Sequence, residues 1–342
     1  MDGLWGEGFW GWAVVPLAVL GGTLWLTGVA RAWLQRRAIL DRPVERSSHH
    51  SPVPRGGGLA LIPPVLFAWI MLALAGQAPT GTLAIVALAA ALALLSWCDD
   101  LRGIGFGWRL AAHLAAAAIG VSLLSGPLPV FQGLLPPLLD RAATVLLWAW
   151  FINLYNFMDG IDGITSIETV AIGLGIVAVA SLAGNNAAAA MPALALAAGA
   201  LGFLRWNWPR ASIFLGDVGS VPLGFVAGWL LLVLATHGEW VAALILPLYY
   251  LADATVTLLR RIARGERFWQ AHRAHFYQRA LAPDNDHRAV LVLIIGGNAA
   301  LVLLALLAVG WPRIALVLAV LAVASLLAQL ARRSRRGAAR PL

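Results

Sequence analysis

Carboxylates are scarce in this sequence, and several of them are grouped where long apolar segments end. The 342 residues include only 16 Asp and Glu, and three groups stand beside apolar runs: Asp99 with Asp100, Asp159 with Asp162, and Asp217. A carboxylate near membrane depth is costly unless it faces a cavity, a cationic partner or a metal ion. One Asp at a helix end is ordinarily an N-cap or a solvated residue, whereas three such groups predict a shared polar site.

The adjacent carboxylates of Asp99 and Asp100 suit phosphate chemistry that is assisted by a metal ion. They close an apolar run that predicts a helix, and the carboxyl end of a helix dipole disfavours anions. The pair therefore needs a compensating cation, which is Arg102, Arg109 or a bound metal. Mg²⁺ prefers oxygen ligands of this kind.

A second polar group lies in segment 153–163, which contains Asn156 and two Asp-Gly pairs at Asp159 and Asp162. Asp-Gly pairs allow tight turns and a close approach of the backbone to a ligand. Asn156 offers a carbonyl oxygen to a metal ion, and the two carboxylates can accept hydrogen bonds from ribose, base or amide donors. A plain turn between two helices would not need so many polar side chains, so we expect a ligand site.

The third group, in segment 214–220, opens a predicted helix with Gly216, Asp217 and Gly219. Free N–H groups at a helix start form a cradle for an anion such as phosphate. Asp217 could serve there only as an N-cap. Together with the other groups, however, it predicts a metal ion, held by Asp217 and Asn156, that neutralises a substrate diphosphate. Mg²⁺ is the expected ion, with Mn²⁺ as an alternative.

Basic residues of two loops are candidates for gripping phosphate. In the loop 258–288, a His-x-x-His pattern places Arg273 between His272 and His275. The pattern suits phosphate better than zinc, because the chain has neither matching cysteines nor a third ligand at suitable spacing. In the first loop, Arg55 stands before three glycines and is the other candidate.

These groups need helices to position them, and the composition predicts helices that cross a membrane. Hydrophobic residues make up 61% of the chain and charged residues 12%, against about 45–50% and about 25% in soluble globular proteins. A spanning helix needs roughly 20 apolar residues. Apolar runs of about that length predict eleven spans, at 9–30, 57–75, 80–98, 109–125, 142–156, 164–183, 187–204, 219–236, 239–257, 289–309 and 313–331. We therefore expect an all-α polytopic membrane protein whose residues 1–342 form a single domain.

Arginine positions predict how these spans are oriented. All 24 basic side chains are arginine, and 22 of them lie on one side of the threaded chain. The positive-inside rule makes that side cytoplasmic, with the amino terminus in the periplasm and the carboxyl terminus in the cytoplasm. Topology and anionic lipid headgroups thus account for the basic excess, and we expect no nucleic-acid partner. The cytoplasmic loops expected to form the active site are 31–56, 99–109, 157–163, 205–218 and 258–288.

Taken together, these motifs resemble the polyprenyl-phosphate N-acetylhexosamine-1-phosphate transferases of bacterial membranes, of the glycosyltransferase family 4 type. The motifs also follow a similar order along the chain: the Asp pair, segment 156–162, segment 214–220 and the histidine loop. Segments 46–49, 54–58 and 272–279 look most like the branch that starts O-antigen synthesis. The peptidoglycan branch carries a lysine after its Asp pair and three consecutive histidines, where this chain has Arg102-Gly103 and His-x-x-His.

The resemblance implies transfer of an N-acetylhexosamine-1-phosphate from a UDP-sugar to undecaprenyl phosphate, with release of UMP. The sugar is expected to be a 6-deoxy amino sugar such as N-acetylfucosamine or N-acetylquinovosamine, or else N-acetylglucosamine. The reaction would be the first membrane step of O-antigen or cell-envelope polysaccharide synthesis. The resemblance further implies a multi-pass protein of the bacterial inner membrane whose active site faces the cytoplasm. Membrane lipid is an expected partner, and a homodimer is the oligomer considered.

The resemblance also implies roles for particular residues, with Mg²⁺ on Asp217 and Asn156 nearby. Four residues are expected to act in catalysis: Asp99, Asp100, His272 and His275. Four are expected to bind substrate: Arg55, Asp159, Asp162 and Arg273. A lipid phosphate has a second pKa of about 6 and needs little general-base help at neutral pH, so catalysis should come mainly from positioning and charge neutralisation. Two routes stay open for the Asp pair, namely proton acceptance from the lipid phosphate or covalent attack.

A secondary transporter for an anionic substrate is the alternative function. Ten or so helices with glycine-rich interiors and arginines near the bilayer are compatible with it. Transporters, however, place their ionisable residues near the midplane, commonly in inverted repeats. Here the candidate residues stand at predicted cytoplasmic helix ends and no repeat is visible, which favours the transferase.

Overall fold

The computed structural model describes residues 7–41, 43, 51–184, 187–266, 272–281 and 286–338, and within them the chain is helical almost throughout. The helices are α1 (Glu7–Arg36), α2 (Gly58–Leu74), α3 (Thr82–Arg102), α4 (Phe106–Ser122), α5 (Pro137–Phe157), α6 (Ile164–Ala183), α7 (Ala187–Asn207), α8 (Asp217–Leu234), α9 (Trp240–Ile245), α10 (Leu248–Ala263), α11 (Phe276–Leu281), α12 (His287–Ala308) and α13 (Pro312–Ala338). Two short strands, β1 (Leu40–Asp41) and β2 (Val53–Pro54), pair antiparallel, and a π-helical turn (Ala235–Glu239) joins α8 to α9. The predicted all-α fold class is confirmed.

Seven of the described helical segments are long and apolar enough to cross a membrane. They are Trp12–Arg36, Thr82–Arg102, Ile164–Ala183, Ala188–Asn207, Asp217–Ile245, His287–Ala308 and Pro312–Arg335. Each of the eleven predicted apolar runs falls on helical structure, but the run 239–257 is divided between α9 and α10. The division lies at Pro247, which has no N–H to continue a helix. The count of about eleven spans and the orientation of the termini stay predictions.

Helix α8 is the centre of the bundle, because all of its residues 218–234 are buried. Glycines let α5 approach it closely: a Cβ on Gly228 would overlap the Trp148 indole. Trp148 stacks on Phe225 with 4.7 Å between ring centroids, and its Nε1–H donates to the carbonyl oxygen of Phe225 at 3.1 Å. This packing fixes α8 and therefore the place of its first residue, Asp217.

Helices α2 and α8 begin in direct backbone contact. The N–H of Gly58 donates to the carbonyl oxygen of Leu215 at 2.9 Å. A Cβ on Gly58 would collide with backbone atoms of Gly219. The two helix starts consequently leave no room for a side chain between them.

The end of the bundle at which α8 begins collects the ends of several other helices. Short connections join α3 to α4, α5 to α6 and α7 to α8, so that neighbouring helices run back and forth. The predicted site loops 99–109, 157–163 and 205–218 consist of these connections and the helix turns beside them. Sequence segments that are far apart in the chain thereby meet around the start of α8.

The outer helices hold the histidine loop in place. Helix α13 packs against α11 and α12, and Nε of Arg333 donates to the carbonyl oxygen of Ala280 in α11 at 3.1 Å. The short helix α11 follows His275 directly. The position of the histidine loop therefore depends on α13.

Candidate active site

The glycine-rich loop 54–58 is bound through its backbone to the segment that precedes α8. Phe214 donates its N–H to the carbonyl oxygen of Pro54 at 2.8 Å, and its own carbonyl oxygen accepts the N–H of Gly57 at 2.8 Å. Arg55 and Phe214 form an isolated parallel bridge. This pairing brings Arg55 to the first turn of α8.

One nitrogen of Arg55 bridges two of the predicted carboxylates. Nη2 of Arg55 lies 2.7 Å from Oδ1 of Asp100 and 2.7 Å from Oδ1 of Asp217. The side chains of Asp100 and Asp217 are 3% and 17% exposed, whereas that of Arg55 is 39% exposed. The guanidinium therefore covers the two carboxylates from the solvent side.

Asp100 occupies the amino end of α8. Its Oδ2 accepts the N–H of Val218 at 3.1 Å, and its Oδ1 accepts the N–H of Asp217 at 3.3 Å. Gly216, with φ +75°, is required here because a Cβ would also lie 2.9 Å from Oδ2 of Asp100. The helix start that the sequence predicted as a phosphate cradle is thus filled by a carboxylate of the protein, which the positive end of the helix dipole stabilises.

Arg109 is the cation that serves Asp99. Nη1 of Arg109 lies 2.8 Å from Oδ2 of Asp99 and 3.7 Å from Oδ2 of Asp217. Asp99 also accepts the N–H of Ile104. Of the cations that the sequence offered, the structure selects Arg109 for Asp99, whereas Arg102 is exposed at the end of α3.

Asp217 is more than a helix cap. The N-cap of α8 is Gly216, without a side-chain hydrogen bond, and the two carboxylate oxygens of Asp217 face Arg55 and Arg109. Three acidic and two basic side chains thus form one group, the carboxylate–arginine cluster: Arg55, Asp99, Asp100, Arg109 and Asp217.

Asn156 lies beside this cluster, bonded to α8. Its Nδ2–H donates to Oγ of Ser220 at 2.9 Å, and Ser220 is three residues after Asp217 in the same helix. Since the bond uses the amide nitrogen, the carbonyl oxygen of Asn156 is the atom that can ligate a metal ion.

The donor set of the cluster fits a hard cation. Carboxylates of Asp100 and Asp217 already share one cationic nitrogen, and oxygen ligands suit Mg²⁺, which keeps several ligand or water oxygens of its own. Among the described residues, no three His, Cys, Asp or Glu side chains are arranged as a metal-binding group. The amide oxygen of Asn156 and oxygens of substrate or water would therefore have to complete a coordination shell on Asp217.

Asp159 lies in the loop that connects α5 to α6, within the electrostatic field of the cluster. Burial raises the pKa of its carboxyl to about 7; a hydrogen bond with Thr165 opposes this rise, the charge of Asp217 adds to it, and Arg55 opposes it. A carboxyl with this pKa is present in both protonation states at neutral pH. It can therefore accept or donate a hydrogen bond to a ligand.

Asp162 fastens the loop that leads into α8. Its Oδ2 accepts the N–H groups of Arg210 and Ala211, each at 3.1 Å, and lies 3.4 Å from Nδ1 of His287. Arg210 has φ +70°, an uncommon conformation for a residue with a side chain. Asp162 thus positions the backbone before Asp217, and its contact with a nucleotide stays a prediction.

Asp253 organises the histidine loop from inside the bundle. Its fully buried carboxylate lies 3.2 Å from Nδ1 of His275 and accepts the N–H groups of Phe276 at 3.0 Å and Tyr277 at 3.3 Å. A carboxylate only accepts, so Nδ1 of His275 carries the proton and Nε2 is left for a ligand. Asp253 therefore both caps the amino end of α11 and orients the ring of His275.

His272 is held next to His275, with 5.0 Å between the ring centroids. Its Nδ1 accepts the N–H of Ala274 at 3.2 Å. Burial, reinforced by the charges of His275 and Arg261, lowers the pKa of His272 to about 4, so the ring is neutral at pH 7. Arg273, between the histidines, is exposed.

Tyr277 connects the histidine loop to the Asp-Gly loop. Its hydroxyl donates to the carbonyl oxygen of Phe157 at 3.1 Å, and a Cβ on Gly160 would overlap that hydroxyl. The structure thus arranges the predicted site residues in two neighbouring parts, the carboxylate–arginine cluster and the histidine loop, with segment 157–163 between them. The motif 46–49 lies outside the described residues.

Comparison with known families finds one match that covers the core of this site. Residues 82–235 match glycosyl transferase family 4. Over these residues the chain is similar to that family. The matched part runs from α3 to the π-helical turn and contains Asp99, Asp100, Asn156 and Asp217. Arg55 and the histidine loop lie outside it, so their place beside the family's residues rests on the geometry.

Curated relatives in the family are sugar-phosphate transferases. The chain is 28% identical over 324 residues to a decaprenyl-phosphate N-acetylglucosaminephosphotransferase of Mycobacterium tuberculosis (strain H37Rv), covering 82% of this chain and 78% of the relative. It is 29% identical over 271 residues to a probable undecaprenyl-phosphate N-acetylglucosaminyl 1-phosphate transferase of Bacillus subtilis (strain 168), covering 75% and 74%. A phospho-N-acetylmuramoyl-pentapeptide-transferase of Mycobacterium sp. (strain KMS) is 28% identical over 265 residues, covering 63% and 73%. The apolar helices and these relatives together indicate a multi-pass membrane enzyme.

Asp253 stands among the acidic residues beside helix ends, but its role could not be predicted from the sequence. It is one more Asp in an apolar run, and the bonds that it makes join it to residues 22 to 24 positions later. No helical or strand periodicity produces such a spacing. The sequence signal that indicates a buried partner is its place within the predicted apolar run 239–257, and the structure shows Asp253 0% exposed.

Proposed function

We propose that the protein transfers an N-acetylhexosamine-1-phosphate from a UDP-sugar to undecaprenyl phosphate and releases UMP. The observation that carries the proposal is the carboxylate–arginine cluster at the start of α8, in a family whose relatives are named for moving N-acetylglucosamine phosphate onto polyprenyl phosphates. The proposed sugar is a 6-deoxy amino sugar such as N-acetylfucosamine or N-acetylquinovosamine, or N-acetylglucosamine. The proposed role is the first membrane step of O-antigen or related envelope polysaccharide synthesis.

In this proposal the donor diphosphate binds at the carboxylate–arginine cluster. Mg²⁺, or Mn²⁺ in its place, would be held by Asp217 and Asn156 and would supply neutralisation of the diphosphate charge. Asp162 keeps the backbone before Asp217 in position, and Asp159 offers a carboxyl that can donate or accept a hydrogen bond. These residues bind and orient the donor and leave little covalent chemistry to the protein.

The acceptor phosphate is proposed to act as the nucleophile directly. Its second pKa is about 6, so it is largely a dianion at neutral pH. Asp100 is held by two backbone N–H groups and Arg55, and Asp99 by Arg109. Carboxylates fixed in this way suit positioning better than covalent attack. Arg273, whose side chain is exposed, is proposed to grip phosphate from the other side, and Nε2 of His275 is proposed to accept a hydrogen bond from a protonated group of the substrate.

The prenyl chain has a candidate place in an apolar cavity of about 190 Å³ in the half of the bundle away from the start of α8. Leu147 and Phe151 of α5, Leu231 of α8 and Leu251 of α10 line it. Helix α10 continues from this cavity to Asp253, which holds the histidine loop. An acceptor with its phosphate near that loop could therefore lay its chain along α5 and α10, within the membrane.

Transfer assays with purified protein test the proposed function. The full chain in detergent is supplied with undecaprenyl phosphate, Mg²⁺ and a panel of UDP-N-acetyl sugars, and lipid-diphosphate-sugar and UMP are measured by mass spectrometry. We expect both products with at least one donor. Formation of neither product with any donor, by protein shown to be folded, contradicts the proposal and returns attention to the transporter alternative, which uptake into proteoliposomes would detect.

A further inference from the structure

Arg55 stands where a bridging cation would be useful between two acidic side chains. One of its nitrogens, Nη2, is 2.7 Å from an oxygen of Asp100 and 2.7 Å from an oxygen of Asp217. A divalent ion on Asp217 would compete for those oxygen lone pairs. Because like charges repel at such short range, Arg55 and a metal ion cannot both make close contact with the same carboxylate oxygen.

The carboxylate of Asp100 is held in place by backbone N–H groups, and the backbone of Asp217 is fixed at the start of α8. Asp100 is tied to the first N–H groups of α8, and Asp217 is the first residue of that buried helix. Arg109 contacts the other oxygen of Asp217 at 3.7 Å. A change of cation between Asp100 and Asp217 therefore needs movement of the cation and not of the acids.

Arg55 has the freedom that this movement requires. Its backbone is fixed by the bridge to Phe214, but its side chain is 39% exposed at the solvent side of the cluster. Rotation about side-chain bonds alone would carry the guanidinium away from the carboxylates. A released guanidinium presents a planar fork of donors that suits a phosphate group.

We propose that Arg55 is an exchangeable cation, which holds Asp100 and Asp217 until a divalent ion takes its place and then moves to the donor diphosphate. The inference rests on the proposed function, because it assigns a regulatory role to the same site. It has a thermodynamic consequence: divalent ion and nucleotide diphosphate must strengthen each other's binding, since each removes the obstacle to the other. Such coupling is reciprocal and typically amounts to about 5- to 150-fold in affinity.

Direct measurement of Mn²⁺ binding tests this exchange without any turnover. Free Mn²⁺ is followed by electron paramagnetic resonance during titration of the purified full chain, with and without UDP. In Arg55→Gln, Mn²⁺ should bind at least about fivefold more tightly than in the wild type without UDP. UDP should add less further affinity than it does in the wild type, because only the direct attraction between Mn²⁺ and the diphosphate remains. Arg102→Gln is the matched control, since it removes an exposed positive charge at the end of α3, two residues after Asp100. Exposed charges are screened by solvent and salt, so this variant should bind Mn²⁺ within about twofold of the wild-type affinity.

The proposed exchange is overturned if folded Arg55→Gln binds Mn²⁺ no more tightly than the wild type. It is also overturned if Arg102→Gln gains as much Mn²⁺ affinity as Arg55→Gln does. If Arg55→Gln does not fold, Arg55→Lys is the second variant. Lysine keeps the charge, so Mn²⁺ binding without UDP should stay as weak as in the wild type. Lysine lacks the planar fork of donors, so UDP should strengthen Mn²⁺ binding less than it does in the wild type. If UDP strengthens Mn²⁺ binding in Arg55→Lys as much as in the wild type, the proposal is also overturned. Sugar-phosphate transfer by the wild type is measured separately, so failure of the exchange leaves the proposed function standing, and absence of transfer contradicts that function without regard to Mn²⁺.

Discussion

Asp100 and Asp217 contact the same arginine nitrogen, yet their other contacts give them different roles. Asp100 accepts two backbone N–H groups at the start of α8 and is almost fully buried. Asp217 directs its two oxygens to Arg55 and Arg109 and is more exposed. We infer that Asp100 fixes the geometry of the site, while Asp217 is the carboxylate that meets the ligand.

Asp217→Asn should therefore insert into the membrane but lose sugar-phosphate transfer, by at least about 10²-fold, a loss typical of removing one preorganised electrostatic group. Asp100→Asn should lose transfer as well, because an amide nitrogen would face the N–H groups of α8. Product formation per unit of membrane-inserted protein is the measurement.

Asp140→Asn is the matched control for both variants. Asp140 is also buried, at the opposite end of α5, where its Oδ2 accepts the N–H of Phe131, a bond that the carbonyl oxygen of Asn can keep. Near-normal turnover in Asp217→Asn and Asp100→Asn, or equal losses in all three variants, would remove the cluster from the candidate active site.

Asp253→Asn should impair the histidine loop. One of the two acceptor oxygens becomes an NH₂ group that faces N–H donors of His275, Phe276 or Tyr277. An unmatched buried polar group costs about 1–3 kcal/mol, so both the thermal midpoint and the transfer rate should fall. Asp286→Asn, at the exposed cap of α12, should change neither; unchanged activity in Asp253→Asn would show that the orientation of His275 does not matter.

At the scale of elements, the contact between α2 and α8 is the joint that brings Arg55 to the cluster. Gly58→Ala should force these helix starts apart, because its Cβ would collide with the backbone of Gly219. Overpacking of this kind costs about 1–3 kcal/mol, and we expect a lower thermal midpoint together with weaker transfer. Gly105→Ala, which meets nothing within 4 Å, is the control; if both variants melt alike, the joint is less tight than the structure indicates.

Helix ends could be predicted from the sequence, but pairs of side chains could not. The alternation of apolar runs with polar segments located Asp99, Asp159 and Asp217 at one end of the bundle, because short connections between antiparallel helices return the chain to the same face. The partner of Asp217 is 162 residues earlier in the chain, at Arg55, and hydropathy carries no information about such a pairing.

Two local expectations differed from the structure for related reasons. The first turn of α8 was expected to cradle phosphate, but its N–H groups bind Asp100. The apolar run 239–257 was expected to form one span, but Pro247 separates α9 from α10. In the first place a long-range side-chain contact occupies the helix start, and in the second a proline ends a helix within an apolar run. Hydropathy averaged over a window of residues contains no information about such a contact or such a break.

At the scale of the whole molecule, the orientation in the membrane is the prediction most open to direct test. Cys98 is the only cysteine, so Cys98→Ala provides a background in which single cysteines report their side. Arg264→Cys, at a position where the arginine is 71% exposed beside the candidate site, should react with an impermeant maleimide only in inverted membrane vesicles. Gln77→Cys, in the exposed connection after α2, should react only in right-side-out cells; the reverse labelling would place the active site outside.

The burial of α8 also bears on how the chain is assembled during synthesis. Apart from α9 and the turn before it, the helices that pack against α8 are α2, α3, α5, α6 and α7, and all of them precede it in the sequence. A chain made from its amino terminus thus has most of the walls of the bundle in the membrane before the central helix emerges from the ribosome. The glycines and buried apolar side chains of α8 can then be covered by protein as soon as they enter the bilayer, and α12 and α13 close around a centre that is already complete.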